Sequence, residues 1–276
     1  MKLASYYYLL ASLPQWSWTD EPSREALREA QANIARQIAP EDKAAYRWLL
    51  YRNDVRNFIH RRQDQRGGGP ERPWVEPCSL RESDWETVRQ NPEQAPPFLQ
   101  EWLENEDQAQ TPGPAQLEER LMGLFFEGAA QAPHPFLRRY FEFEDELQAV
   151  IATYQQGQYD FLDSETPFLG AELRQNVKKG QAGLTEKLRL SLPYLPDLLE
   201  TLATRDAGAI RHKVLELRWQ QAEELGRQHF FDLTHLLSYG ARLDLLFQKN
   251  IAVPPQGEAS FSALIQPLLK PQNHPA

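Results

Sequence analysis

The chain contains very little cysteine and no long apolar run. Cys78 is the single cysteine among 276 residues, which excludes an intrachain disulfide and is typical of a reducing compartment. The longest uninterrupted apolar run covers 6–11, far shorter than the ~20 residues of a bilayer-spanning helix, so we expect no membrane span. We also expect no secretory signal, because polar and proline-rich sequence begins by Pro14. These absences predict a cytoplasmic protein.

The motifs that hold phosphates or activate a nucleophile are also missing. Gly67-Gly68-Gly69-Pro70 follows a predicted helix instead of a strand and lacks a following Lys-Ser or Lys-Thr, so it is interpreted as a linker. The sequence has no Gly-x-Ser-x-Gly turn, and one cysteine cannot form a Cys-x-x-Cys site. We therefore predict no catalytic residue, no cofactor and no enzymatic activity of the chain's own.

The best metal-ligand pattern is formed by His229, Asp232 and His235, with Glu223 or Glu224 as a further ligand. On one continuous helix this spacing would place the side chains on one side. Asp232 is also a suitable N-cap at a helix junction, however, and such a junction would break that spacing. We favour the cap and predict no metal site.

A run of carboxylates at Glu142, Glu144, Asp145 and Glu146 offers acid–base groups in principle. Charge runs on the outer face of an amphipathic helix are usually solvated, so this run is interpreted as an exposed face.

The formal net charge of −9 is concentrated in the middle of the chain. Residues 82–120 contain ten acidic and two basic side chains, a net charge of −8, which leaves −1 for all other residues. The acidic balance argues against a partner with a phosphate backbone, so no nucleic acid is expected. The acidic stretch is interpreted as a solvated surface segment, or alternatively as a face for a basic partner.

Proline residues and helical periodicity together predict a nearly all-α fold. We expect a bundle or funnel of helical hairpins with pseudo-repeats, a short extended N-terminal segment and a Pro-rich acidic insert. The segment 6–14 is a short strand or a tight helix, and we take it as extended. Helices are predicted near 22–38, 41–62, 83–90, 96–106, 117–125, 135–156, 210–225, 233–247 and 259–269.

The composition divides the chain into three parts. These are an N-terminal helical unit over 1–66, a Pro/Gly-rich acidic insert with short helices over 67–114, and a C-terminal helical unit over 115–276. Trp16 and Trp18 lie in a loop outside any helical stripe. They are a plug on the helical core, which we favour, or an exposed anchor for a partner.

Two predicted helices carry a similar polar pattern. Asp54 and Asn57 are three positions apart on one helix, and Asp145 and Gln148 repeat this spacing on the other. Such pairs can hydrogen-bond on a helix surface. The helix with Trp219 and Glu223 is a diverged third member. The repetition suggests a duplicated helical hairpin.

At these residues the sequence resembles a known family. The opening Tyr6-Tyr-Tyr-Leu-Leu-Ala-Ser-Leu-Pro14 resembles the start of an uncharacterised bacterial family encoded among the subunits of V-type ATPases. The helix with Asp54 and Asn57 is similar to helices of the C-type subunit of V-type ATPases, which corresponds to the d-type subunit in eukaryotes. The stretch 217–239 is similar as well. The resemblance covers about half of the chain, in 6–14, 46–62, 137–160 and 214–247.

The resemblance implies a non-catalytic part of a rotary motor that takes part in proton or other ion transport. The C-type subunit is a funnel of helical hairpins in three pseudo-repeats, which sits on the membrane ring and receives the foot of the central shaft. A protein of this kind has the other ATPase subunits as partners. It is cytoplasmic and peripheral to the inner face of the cell membrane, without inserting into it.

The sequence also departs from the C-type subunit. The chain is shorter, the acidic insert replaces the middle repeat, and Gln148 stands where the repeat would have Asn. The alternatives are therefore a central-stalk connector, an assembly or regulatory factor of the same complex, or an unrelated helical scaffold. Under the connector hypothesis, the candidate partner contacts are Asp54, Asn57, Asp145, Gln148, Trp219 and Glu223. Intrahelical pairing and capping within the fold are the competing interpretation for each of them.

Overall fold

The computed structural model describes residues 6–67, 73–104, 114–158 and 171–250. This part of the chain is mostly helical and contains no strand, so the all-α prediction is confirmed. None of its helices combines the length and the apolarity needed to cross a bilayer. The helices are α1 Tyr7–Ser12, α2 Arg24–Gln37, α3 Lys43–Gly67, α4 Trp85–Gln90, α5 Pro97–Glu104, α6 Pro114–Ala129, α7 Pro135–Gln158, α8 Ala171–Lys178, α9 Glu186–Ser191, α10 Leu195–Ala203, α11 Ala207–Gly226 and α12 Leu233–Lys249.

The extended N-terminal segment is a wrong prediction, because residues 7–12 form helix α1. Leu9 and Leu10 are buried, and the backbone N–H of Leu10 donates to the Tyr6 carbonyl at 2.8 Å. Leu13 is extended and ends the helix directly before Pro14, which disfavours helical geometry in the residue that precedes it. The leucine pair packs one side of a single helical turn, and this packing outweighs the strand preference of the three tyrosines.

Helix α2 follows the predicted apolar stripe. Leu27, Ala30 and Ile34 are buried, and the Ser23 side chain accepts a hydrogen bond from the backbone of Ala26 at 3.2 Å. Ser23 is therefore the N-cap, and helix α2 begins at Arg24, two residues after Pro22.

The described residues form two compact units. One contains 6–144 and 218–250, and the other contains 145–217, apart from the gaps given above. The boundaries fall within α7 and α11. The three-part division by composition and the pseudo-repeats stay predictions. The predicted helix at 259–269 lies outside the described residues.

The first part of the acidic segment is packed through aromatic and aliphatic side chains. Phe58 of α3 contacts Trp85 and Trp102, with ring centroids 4.7 and 5.0 Å apart. Leu99 and Leu103 are buried as well. Glu82, Glu86, Glu93 and Glu104 are exposed, as predicted for a solvated surface segment, but the segment up to 104 is packed on the fold through its apolar inner side.

Helix α12 is buried along most of its length and packs against α2 and α3. Gly240 makes this close approach possible. A Cβ atom there would lie 2.7 Å from Cε2 of Tyr46 and 2.9 Å from Cδ1 of Leu49. A larger residue at position 240 would have to displace the side chains of Tyr46 and Leu49 on α3.

The second unit has a leucine-rich core. Leu195, Leu198, Leu199 and Leu202 of α10 are buried, and Thr185 caps α9 by accepting from the backbone of Leu188 at 3.3 Å. Tyr194 donates a hydrogen bond to the Glu146 carboxylate. This unit thus contains its own apolar and polar contacts.

The prediction of Asp232 as a cap is confirmed, because its carboxylate accepts from the backbone of His235 at 2.9 Å at the start of α12. We expect D232A to lower the free energy of unfolding by about 1 kcal/mol, the usual cost of a lost N-cap. D232N keeps an acceptor and is the matched control. Urea unfolding of both variants checks this, and equal losses in the two would contradict the capping role.

Candidate functional site

Asp54 and Asn57 are buried on α3 and hold a non-helical segment, 75–80, which we call the strap. The Asp54 carboxylate accepts from the backbone of Ser79 at 2.9 Å, from the backbone of Leu80 at 3.1 Å and from the Ser79 hydroxyl. Asn57 donates to the Val75 carbonyl at 3.0 Å and accepts from the Val75 N–H at 2.7 Å. The strap has no regular secondary structure that would pair its backbone groups. The side chains of Asp54 and Asn57 supply hydrogen-bond partners for these groups instead.

A third polar residue on α3, Asn53, links the strap to α12. Its side-chain amide donates to the Pro77 carbonyl at 2.8 Å and to Oδ1 of Asp244 at 2.7 Å. The side chains of Asn53, Asp54 and Asn57 are therefore all occupied by contacts within the first unit. Asp54 and Asn57 thus serve the fold by clamping the strap, a contact that differs from the intrahelical pairing considered in the sequence analysis.

A buried ionic centre lies next to these clamps. Glu144 of α7 forms ion pairs with Arg52 of α3 and with Arg218 of α11, the latter at 2.9 Å. All three side chains are almost entirely shielded from solvent. The exposed-face interpretation of the 142–146 run is therefore wrong for Glu144, which points into the unit while Glu142 is exposed.

Two further charges complete the ionic centre. Asp244 of α12 accepts from Gln248 at 2.6 Å, and Arg56 of α3 donates to Gln248 at 3.1 Å. With both carboxylates ionised, the ionic centre holds three positive and two negative charges. Charges of this kind are stable in an apolar interior only when their partners are in place.

The environment shifts the pKa of each of these groups. Burial by itself would raise the pKa of Glu144, but the guanidinium groups of Arg218 and Arg52 overcome it and hold this pKa below its ordinary value. Burial lowers the pKa of Arg56 to about 9, and the charges of Arg52 and Arg218 act in the same direction. Burial raises the pKa of Asp244, against the opposing effect of Arg218. Glu144 is therefore the ionised counter-charge of the ionic centre.

Trp219 is buried in an aromatic and cationic stack. Its ring lies 5.7 Å from the ring of Trp18, and the guanidinium carbon of Arg242 lies 5.4 Å from its centroid. Lys249 lies over the other ring, 4.9 Å from the centroid of Trp18. This arrangement supports the interpretation of Trp18 as a plug on the core. Glu223 is exposed, with its carboxylate 4.0 Å from Arg242.

Asp145 and Gln148 are partly exposed and belong to the second unit. Their counterparts Asp54 and Asn57 belong to the first unit and are buried. The two pairs thus share a spacing in the sequence but not an environment.

His229, Asp232 and His235 form a helix cap instead of a ligand set. Nδ1 of His229 lies 2.8 Å from Oδ2 of Asp232, and Nδ1 of His235 lies 2.8 Å from the carbonyl oxygen of His229. In the described ranges no three His, Cys, Asp or Glu residues are grouped so that they could hold a metal ion.

Four aromatic side chains of α1 and of the turn before α12 are exposed, three of them in ring contact and the fourth, Phe230, directly before Phe231 in the chain. We call Tyr7, Tyr8, Phe230 and Phe231 the aromatic patch. Tyr8 is 84% exposed, Phe230 75%, Tyr7 49% and Phe231 37%. The ring of Tyr7 lies 5.4 Å from that of Tyr8 and 4.7 Å from that of Phe231. Exposed aromatic surface of this extent is typical of a binding site.

The aromatic patch is held in place by the backbone. Phe231 has a φ of 56°, a left-handed conformation that is rare for a bulky residue. The N–H of Tyr6 donates to the Phe231 carbonyl at 2.7 Å, and the Tyr6 hydroxyl donates to Asp42 at 2.5 Å. Burial, aided by the Asp42 carboxylate, raises the pKa of Tyr6, so this hydroxyl keeps its proton. Strained backbone that exposes apolar rings is a common property of functional sites.

The aromatic patch and the ionic centre were not predicted from the sequence. The tyrosines at 6–8 and the phenylalanines at 230–231 had one available signal, because both groups interrupt the helical stripes with adjacent aromatic residues. The ionic centre joins four helices that are distant in the sequence, and the spacing within any one helix does not reveal such a contact.

A protein-family model described as "Protein of unknown function (DUF2764)" matches residues 3–271, and the chain therefore belongs to this family. No curated protein matches the chain. The family description names no activity, ligand or partner.

The ionic centre predicts that substitutions of Glu144 and Glu142 lower the free energy of unfolding by very different amounts. E144Q leaves Arg52 and Arg218 buried without their counter-charge, so we expect the free energy of unfolding to fall by about 3 kcal/mol or more. E142Q, on the exposed side of the same helix, is the control and should change stability by less than about 0.5 kcal/mol. Urea unfolding provides both values, and a similar small loss in E144Q would show that the ion pairs contribute little.

Asp54 predicts a pH dependence of stability. Burial raises the pKa of Asp54 to about 6, although hydrogen bonds from Ser79 and Leu80 oppose the shift. The folded state therefore keeps a proton that the unfolded chain releases, and the stability that this proton contributes is lost as the pH rises through about 6.

Measured against D54N, the wild-type protein should lose about 1 kcal/mol of unfolding free energy between pH 5 and pH 7. Urea unfolding at both pH values measures this difference. E86Q, which removes an exposed carboxylate, is the control and should follow the wild type. An equal pH dependence in the wild type and in D54N would contradict the assignment.

Proposed function

We propose that this member of the family is a non-catalytic component of a V-type rotary ATPase that connects the central shaft to the membrane ring. In this role it would transmit torque during ATP-driven ion transport without an active site of its own. It would act at the cytoplasmic face of the membrane through the assembled complex.

The observation that carries the proposal is the way in which the resembling segments pack. The four stretches with resemblance to V-type ATPase proteins are distant from one another in the sequence. Arg52 of α3, Glu144 of α7 and Arg218 of α11 nevertheless form one ionic centre. The Tyr239 hydroxyl of α12 donates to the Pro14 carbonyl at 2.9 Å, which joins the opening segment to the same unit. Parts of all four stretches therefore belong to one compact unit.

The ionic centre also suits a subunit that transmits force. Ion pairs inside a close-packed interior have few alternative arrangements, because any displacement exposes an unpaired charge to an apolar environment. The clamps on the strap fix the non-helical backbone in the same unit. A unit of this kind resists deformation under load.

The candidate partner contacts fall into two groups. Asp54, Asn57 and Trp219 are buried and serve the fold. Asp145, Gln148 and Glu223 are partly or fully exposed. Under the proposal the second group is the one to substitute first.

A deletion strain tests the proposal. We expect inverted membrane vesicles from this strain to lose ATP-driven proton or sodium transport, while ATP hydrolysis by the soluble head is retained, because coupling fails without the connector. Transport is measured with a pH-sensitive dye or with radioactive sodium, and expression of the wild-type chain should restore it. Normal coupled transport in the deletion strain would contradict the proposal.

The purified enzyme separates the connector from an assembly factor. A connector is retained in the mature complex at a fixed ratio to the shaft subunits, whereas an assembly factor is absent from it. Quantitative mass spectrometry of the ATPase, purified through a tag on a head subunit, gives this ratio.

A further inference from the structure

Most of the exposed large apolar side chains in the described ranges belong to two short stretches of the first unit. Five such side chains are exposed in the described ranges, and four of these five are the residues of the aromatic patch. The fifth, Leu190, is 75% exposed and belongs to the second unit. Single exposed apolar residues such as Leu190 are normal, whereas grouped aromatic residues indicate an interaction site.

The size of the aromatic patch limits what can bind there. An aromatic side chain presents about 200 Å², so the four exposed fractions amount to roughly 500 Å². A stable pair of globular partners buries about 800 Å² on each side. The aromatic patch is therefore too small to hold a second copy of the chain by itself. It matches the apolar face of one amphipathic helix, which uses three or four anchor side chains.

Three carboxylates lie close to residues that adjoin the aromatic patch. Asp42 accepts from Tyr6, Glu41 acts electrostatically on the same tyrosine, and Asp232 directly follows Phe231. Arg138 also lies near Asp42 and Asp232, and its guanidinium donates to the Ala132 carbonyl at 2.8 Å. A helix with basic residues beside its apolar face complements these carboxylates.

We propose that the aromatic patch is the docking surface for an amphipathic helix of the ATPase shaft, one with an aliphatic face and basic flanks. The surface is inferred from exposure, ring contacts and backbone strain, and the identity of the partner rests on the proposed function. Tyr8 and Phe230 are the anchors, because they are the most exposed of the four rings and bury the most area on binding.

The test measures binding of the full-length chain to the purified shaft subunits of the same ATPase by isothermal titration calorimetry. The double variant Y8S/F230S should bind at least about 30-fold more weakly, since central aromatic anchors contribute this much or more. L190S removes an equally exposed apolar side chain of the second unit and should bind like the wild type. Circular dichroism and urea unfolding verify that both variants keep the fold.

The outcomes separate this inference from the proposed function. If the wild type binds the shaft and Y8S/F230S binds equally well, the aromatic patch is not the docking surface, while the connector role survives. Equal weakening by L190S would also overturn the inference. If the wild type does not bind the shaft, the inference is wrong, and the proposed function fails together with it when the deletion strain also keeps coupled transport.

Self-association is checked with the free chain. Sedimentation velocity should show a monomer for the wild type and for Y8S/F230S. A wild-type dimer that the double variant abolishes would assign the aromatic patch to a second copy of the chain and would overturn the proposal.

Discussion

The first unit depends on one carboxylate that lies between two arginines. Glu144 of α7 binds Arg52 of α3 and Arg218 of α11, and all three are withdrawn from water. Because an unpaired charge in this position is costly, the three helices are restricted to one mutual arrangement. The clamps on the strap and the close contact of α12 with α3 lie around this arrangement and use helix α3 as their common support.

Eight of the twelve helices in the described ranges were predicted from the sequence, whereas α8, α9 and α10 and the contacts between helices were not. Local signals place α2, α4, α5 and α7 within a few residues of their observed limits, because proline, capping residues and apolar periodicity act over short distances. The opening segment was predicted wrongly, since a single helical turn has no periodicity to detect. Glu144 was predicted to be solvated, because a run of acids conceals the one that turns inward toward distant arginines.

In the candidate site, too, the sequence shows the spacing of residues but not their distant partners. The spacing of Asp54 and Asn57 was noticed in the sequence, but their partners were not. These partners are backbone groups of the strap, which follows about 20 residues later and has no distinct sequence signature. The aromatic patch was visible only as adjacent aromatic residues in two remote stretches. Buried polar residues thus explain how the unit holds together, and exposed aromatic residues indicate where it meets a partner.

Under the proposed function, the ionic centre and the clamps hold the first unit together, and the aromatic patch is its contact surface for the shaft. Electron cryomicroscopy of the V-type ATPase, purified through a tag on this chain, tests the connector role most directly. We expect helical density for the chain at the foot of the central shaft, with Tyr8 and Phe230 against a shaft helix. Density for the chain away from the central axis, or an assembled enzyme that lacks it, would contradict the connector role.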